Sequence, residues 1–232
     1  MHLHLFSGGG LAMTATVVAR AAERLAGVPH PVIGWIPAAS VDPPGAWIDY
    51  MTQAFAPVGT IRLIDLDLAD AASFAADIAA CAAVFVPGGN TYLLSKRMHR
   101  HRAMGTLSDA VRGGVPLLTR SAGTVFCGPN MLTTNDWNVF GTTEFDALGL
   151  SPYNFNVHFT LPPEDEPESR DFRIRQYIAV NRRPVLALEE TCNLEWTDSA
   201  VRVHGATCWL YTTSGERRPL PPGSTFSPSL GG

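Results

Sequence analysis

Val115-Pro116-Leu117-Leu118-Thr119-Arg120-Ser121-Ala122-Gly123 reads as a short apolar strand that breaks at a serine and restarts as a helix. A strand this short and this uniformly apolar is one buried on both faces, the signature of a parallel sheet covered by helices. The same alternation recurs outward in both directions. Strands are predicted at His2–Phe6, Val32–Pro37, Thr60–Ile64, Ala83–Val86, Pro116–Thr119, Asn154–His158 and Pro184–Leu188, with a late pair at Ala200–His204 and Thr207–Thr212. Helices fit between them at Ala12–Ala26, Gly45–Ala56, Ala71–Cys81, Thr91–His99, Met104–Gly113, Ala122–Cys127 and Glu168–Val180. This order predicts an α/β fold, a three-layer α/β/α sandwich with a mainly parallel sheet. No repeat or low-complexity block divides the chain, so residues 1–232 are expected to form a single domain, with 218–232 an irregular tail that is mobile at its end.

Composition narrows the function classes. A formal net charge of −4 leaves no basic footprint for a phosphate backbone, so nucleic acid is not an expected partner. No apolar run approaches membrane-spanning length and the amino terminus lacks the pattern of a secretory signal, so neither membrane nor export is expected. Cys81, Cys127, Cys192 and Cys208 are widely and irregularly spaced, which fits free thiols in a reducing cytoplasm and makes no metal set. Three other features read as structural. Ser7-Gly8-Gly9-Gly10 lacks the third glycine of a dinucleotide fingerprint, because Met13 stands there, and reads as a plain glycine-rich turn. His99 and His101 sit near a helix end, where imidazoles favour the helix dipole and are usually solvated. His2 and His4 share one strand face, and their role is open.

The serine turn carries chemistry. A serine at a sharp strand-to-helix junction projects its hydroxyl from the carboxyl end of the sheet, and the Ala122 N–H points where an oxyanion would form. The small residue and glycine that must follow are present, although Thr119 replaces the first glycine of the full elbow pattern. A second turn, Pro87-Gly88-Gly89-Asn90-Thr91, ends the preceding strand and offers further N–H donors, Gly89 among them. His158, ending another strand, is placed to act as general base toward Ser121.

These residues resemble the peptidase E group of serine peptidases, the aspartyl dipeptidases, related to cyanophycinases and similar in architecture to the flavodoxin-like class I glutamine amidotransferases. The resemblance rests on Pro87-Gly88-Gly89-Asn90-Thr91, Arg120-Ser121-Ala122-Gly123, Thr133-Thr134-Asn135-Asp136, Asn156-Val157-His158-Phe159 and Ser169-Arg170-Asp171-Phe172-Arg173-Ile174-Arg175, all in the family's order. It implies Ser121 as nucleophile and His158 as base. Thr160 stands where the amidotransferases keep their glutamate, so the third member comes from elsewhere: strand-end position favours Glu190, with Asp136 and Glu189 as the alternatives. Asp136 is open to two other roles, binding a substrate amine or making an Asx-turn cap. Gly89 and Ala122 would hold the oxyanion, and Asn90, Arg170, Arg173 and Arg120 would contact substrate. The resemblance implies no cofactor, no metal, a small peptide substrate with an acidic N-terminal residue, and either a monomer or a homodimer. Two rivals remain on this scaffold: a cyanophycinase-like or other acyl hydrolase, and a binding protein whose site has decayed. A solvated arginine face neutralised by Glu164, Asp165, Glu166 and Glu168 is the structural alternative for Arg170 and Arg173.

Overall fold

A computed structural model describes residues 1–161 and 169–229. Five parallel strands alternate with helices as the sequence predicts: β1 (His2–Phe6), β2 (Val32–Trp35), β3 (Thr60–Leu63), β4 (Ala83–Val86) and β5 (Leu117–Arg120), in the spatial order β3-β2-β4-β5-β1. β8 (Asn193–Thr197), β9 (Val201–His204) and β12 (Thr225–Phe226) extend this sheet antiparallel beyond β1. A second sheet runs β11-β10-β7-β6, built from β6 (Asn154–Phe159), β7 (Val185–Glu189), β10 (Cys208–Tyr211) and β11 (Arg217–Leu220). The helices are α1 (Ala12–Arg24), α2 (Ile48–Phe55), α3 (Ala71–Ala79), α4 (Thr91–Arg100), α5 (Ala103–Arg112), α6 (Ala122–Val125) and α7 (Arg170–Asn181), with a 3₁₀ turn at Pro44–Trp47. Among the described residues no helix is long and apolar enough to cross a membrane.

Alternation along each strand divides the core into two layers. Phe6, Phe85 and Leu118 face α1 and α2, where they meet Met13, Val17, Met51 and Phe55. Leu3, Leu5, Val84, Val86 and Leu117 face the other way, toward Phe74, Leu94 and Leu107 of α3, α4 and α5 and toward Phe155, Leu186 and Leu188 of the second sheet. This division decides where the functional side chains can converge. The carboxyl ends of β1, β4 and β5 open on one edge of the molecule, and β6 and β7 reach that edge from the second-sheet side.

Four expectations need correction. The stretch 218–232 is not an irregular tail, because Arg217–Leu220 pairs with β10 and Thr225–Phe226 pairs with β9, leaving only 230–232 outside the described residues. The Asn193–Thr197 strand was not predicted at all. The helix expected from Glu168 starts at Arg170, where the Ser169 side chain accepts from the Phe172 N–H, and Glu168 itself lies outside the described residues. The two histidines near the end of α4 are half-buried rather than solvated: the His99 ring meets the Asp146 carbonyl and His101 faces Asp67. All four cysteines are buried free thiols.

His4, on the main sheet, is buried with its ring 3.0 Å from that of His2. Burial first, and His2 second, lower its pKa to about 3. The unfolded chain takes up that proton near pH 6.5, so stability is lost as pH falls from there toward 3, with a slope of at most about 1.4 kcal/mol per pH unit. His4→Leu is expected to flatten that loss. Denaturant midpoints measured at pH 7 and pH 5 check this, and equal losses in both proteins would contradict it.

Candidate active site

Ser121 sits between β5 and α6 with φ 50° and ψ −111°, a conformation that L residues adopt only when the surroundings impose it. Its N–H donates to the Phe6 carbonyl at 2.9 Å. Gly123 explains the residue type that follows, since a Cβ there would lie 2.3 Å from the Val86 carbonyl oxygen. Thr119, the departure from the elbow pattern, points into the core, where its hydroxyl meets Thr124 Oγ1 at 2.8 Å. Thr124 Oγ1 in turn donates to the Phe6 carbonyl at 2.7 Å, so the two hydroxyls lock the turn to β1 and β5.

His158 arrives from β6. The register of β6 against β7 shifts between Asn156 and Phe159, and His158 has φ 54° within that irregularity. A bulge of this kind re-aims a side chain out of the sheet. Here it brings His158 Nε2 to 2.8 Å from Ser121 Oγ, with Nδ1 2.5 Å from Glu190 Oε2 just beyond β7. The chain of contacts is Ser121, His158, Glu190. Burial works to raise the Glu190 pKa, but the Gly9 N–H, the His158 ring and the Arg170 charge outweigh it and hold the carboxyl below the usual range. A carboxylate at Glu190 can accept from Nδ1–H, and with Nδ1 as the donor Nε2 can accept from the Ser121 hydroxyl.

The glycine turn after β1, read from sequence as a plain turn, supports this chain. Ser7 Oγ accepts from the His158 N–H at 2.8 Å and donates to the Leu188 carbonyl at 2.9 Å, tying β6 to β7. The Gly9 N–H donates to Glu190 Oε1 at 2.7 Å and the Gly8 N–H to the Glu190 carbonyl at 2.9 Å. Gly8 must lack a side chain, because a Cβ would lie 2.5 Å from the His158 ring and closer still to Glu190. Gly8→Ala is therefore expected to lower kcat at least about tenfold by parting imidazole from carboxylate, on the general cost of a misplaced catalytic group. A wild-type kcat in the folded variant would contradict this.

The remaining candidates separate clearly. Asp136 does not meet His158: its Oδ2 accepts from the Thr91 N–H at 2.7 Å, Thr91 Oγ1 at 2.6 Å and Thr134 Oγ1 at 3.1 Å, holding its loop to the start of α4. Glu189 faces away and accepts from Trp209 Nε1 and the Thr207 N–H. Asn90 is spent on structure, capping α4 through the Tyr92 and Leu93 N–H groups and donating to the Trp137 carbonyl. Asn135 and Asn156 bond one another, staple the 133–136 loop to β6, and explain two of the motifs. Gly88, rather than Gly89, packs against Ser121, with a Cβ position 3.0 Å from the serine Cβ, while Gly89 at φ 145° abuts Ala39. Among the described residues neither the Gly89 nor the Ala122 N–H has a protein acceptor. Arg170 is half-buried and its charge is felt at Glu190, whereas Arg173 is exposed. Glu164, Asp165, Glu166 and Glu168, the expected neutralisers, lie outside the described residues. Arg120 points to the α1/α2 side and donates to the Gly10 carbonyl at 2.8 Å.

A strained strand-end serine, an imidazole bonded to it and a carboxylate orienting that imidazole form the geometry of a nucleophilic hydrolase. The chain matches the model of peptidase family S51 over residues 3–204 and belongs to that family. It is 30% identical over 184 residues to peptidase E of Citrobacter koseri, an alignment covering 78% of this chain and 80% of that protein. It is 35% identical over 128 residues to a Drosophila melanogaster protein named a probable alpha-aspartyl dipeptidase, covering 53% of this chain and only 50% of the relative's length. The fold is shared with a solved peptidase from an acI-B1 actinobacterium, at a TM-score of 0.72 and 16% identity over 97% of this chain and 96% of that one.

Proposed function

We propose that this chain is a serine-type dipeptidase that releases an N-terminal aspartate from small peptides through an acyl-enzyme. The observation that carries the reading is the unbroken contact series from Ser121 Oγ through His158 to Glu190. Ser121 attacks the peptide carbonyl as His158 Nε2 takes its proton, and the same proton passes to the leaving amine as the acyl-enzyme forms. Water then repeats the exchange and frees the acid. The Gly89 and Ala122 N–H groups hold the oxyanion of the tetrahedral intermediate in each of the two steps. No step draws on a cofactor. So short a contact series argues against a decayed site.

The aspartate preference rests on Arg170, which stands beside Glu190 at the start of α7, and on the likeness to relatives of that description. A guanidinium offers paired donors to a side-chain carboxylate. The four buried free thiols fit a cytoplasmic setting. A panel of Asp-Leu, Glu-Leu, Ala-Leu and acetyl-Asp-Leu tests the reading. Asp-Leu should be cleaved best and acetylation should block it. Equal cleavage of the acetylated peptide would point instead to an acyl hydrolase of cyanophycinase type. Arg170→Met is expected to cost about 2–4 kcal/mol in kcat/KM on Asp-Leu and to leave slow Ala-Leu cleavage unchanged. Equal losses on both would make Arg170 a support of the fold.

A further inference from the structure

A cavity of about 120 Å³ opens beside the nucleophile on the α1/α2 face of the sheet. Its walls are Trp35, Trp47, Tyr50 and Phe85, and Gly88 and Arg120 close its inner end. Both closing residues adjoin Ser121: Gly88 packs on its Cβ and Arg120 precedes it in the chain. A space of this order in an apolar lining accommodates a benzene-sized group. The volume and lining suit a large side chain and are a poor match to the short, polar side chain of aspartate.

Arg120 adds a second requirement. Among the described residues it is the only charged one in the lining, it is half-buried, and one of its nitrogens is engaged by the Gly10 carbonyl. Among the described residues no carboxylate pairs with it. A partly desolvated guanidinium at the end of an aromatic cavity calls for a carboxylate attached close to a bulky apolar group. Geometry supplies the direction. His158 reaches Ser121 from the second-sheet side and Arg170 is near Glu190 on that side, so a dipeptide that places its aspartate toward Arg170 lays its other residue across Ser121 toward the α1/α2 face. That residue carries the only other carboxylate of a dipeptide, at its carboxyl terminus.

We infer that the enzyme selects its leaving residue as well: a carboxy-terminal, bulky apolar residue whose side chain fills the cavity and whose free carboxylate pairs with Arg120. This rests on the dipeptidase reading and deepens it. The full-length enzyme is assayed for kcat/KM on Asp-Phe, Asp-Ala, Asp-Phe-amide, Ala-Phe and Ala-Phe-amide, and Arg120→Gln is assayed on the same five. Asp-Phe should exceed Asp-Ala at least tenfold. Amidation should cost the wild type at least tenfold, and Arg120→Gln should bring Asp-Phe down to the level of its amide. Equal rates on Asp-Phe, Asp-Ala and the amide would overturn the inference while leaving the dipeptidase reading intact, and the wild-type comparison decides this even if the variant does not fold. If Ala-Phe is cleaved as well as Asp-Phe, the aspartate reading fails, and Ala-Phe against its amide still tests Arg120. If Arg120→Gln instead erases the preference for Asp-Phe over Ala-Phe, the guanidinium reads the aspartate and the inference is overturned.

Discussion

Ser121→Ala is expected to lower kcat on Asp-Leu by about 10⁴-fold or more, the scale seen when a covalent nucleophile is removed. Folding should survive. The side chain is half-exposed, its backbone is held by the Phe6 carbonyl, and the Thr119–Thr124 pair below it is untouched. Alanine keeps the φ of 50° that serine already tolerates, so no new strain enters. Initial rates together with thermal melts check both halves. A variant retaining a tenth of the wild-type rate would remove Ser121 from the role of nucleophile.

The second large effect separates the carboxylates. Glu190→Gln is expected to lower kcat by about 10²–10⁴-fold, because an amide can donate to Nδ1 and stabilise the tautomer that carries its proton on Nε2, where the serine proton must go. The lower bound reflects solvent, since the Glu190 side chain is 54% exposed. Asp136→Asn should act differently. Its carboxylate gathers three donors from Thr91 and Thr134 and none from the imidazole. Losing the charge loosens the 133–136 loop and the start of α4, so the expected change is a modest loss of stability with kcat within about tenfold of wild type. Steady-state kinetics on both variants provide the check. The reverse pattern would make Asp136 the orienting acid, and a large effect from Glu189→Gln would implicate the neighbour.

The parallel half of the fold was legible because both of its faces are buried: Ala83-Val84-Phe85-Val86 and Leu117-Leu118-Thr119 carry nothing that solvent would select. The antiparallel additions were not. Arg217-Arg218-Pro219-Leu220 lies on the edge of its sheet, where charge and proline discourage further pairing and imitate a loop. Asn193-Leu194-Glu195-Trp196-Thr197 follows β7 after a turn of a few residues, and two half-buried positions dilute its apolar content.

Within the site, serine and histidine could be read because one closely follows a predicted strand and the other ends one. Strand-end position favoured Glu190 over Glu189 but gave no contacts; in the structure Glu189 belongs to β7 and bonds Trp209 while Glu190 turns toward His158. Ser7, Gly8 and Gly9 were hidden for a different reason. Measured against a dinucleotide template they fail, and nothing local announces that their N–H groups and hydroxyl serve residues about 150 and 180 positions away, distances set by the closing of β1 against β8.

Labelling with a fluorophosphonate followed by peptide mapping tests the central claim most directly, because the reagent forms its covalent bond only with a serine whose proton is being taken. The wild type should carry one phosphonyl group, located on Ser121, and Glu190→Gln should label far more slowly. No label on Ser121 in a protein that cleaves Asp-Leu would contradict the account.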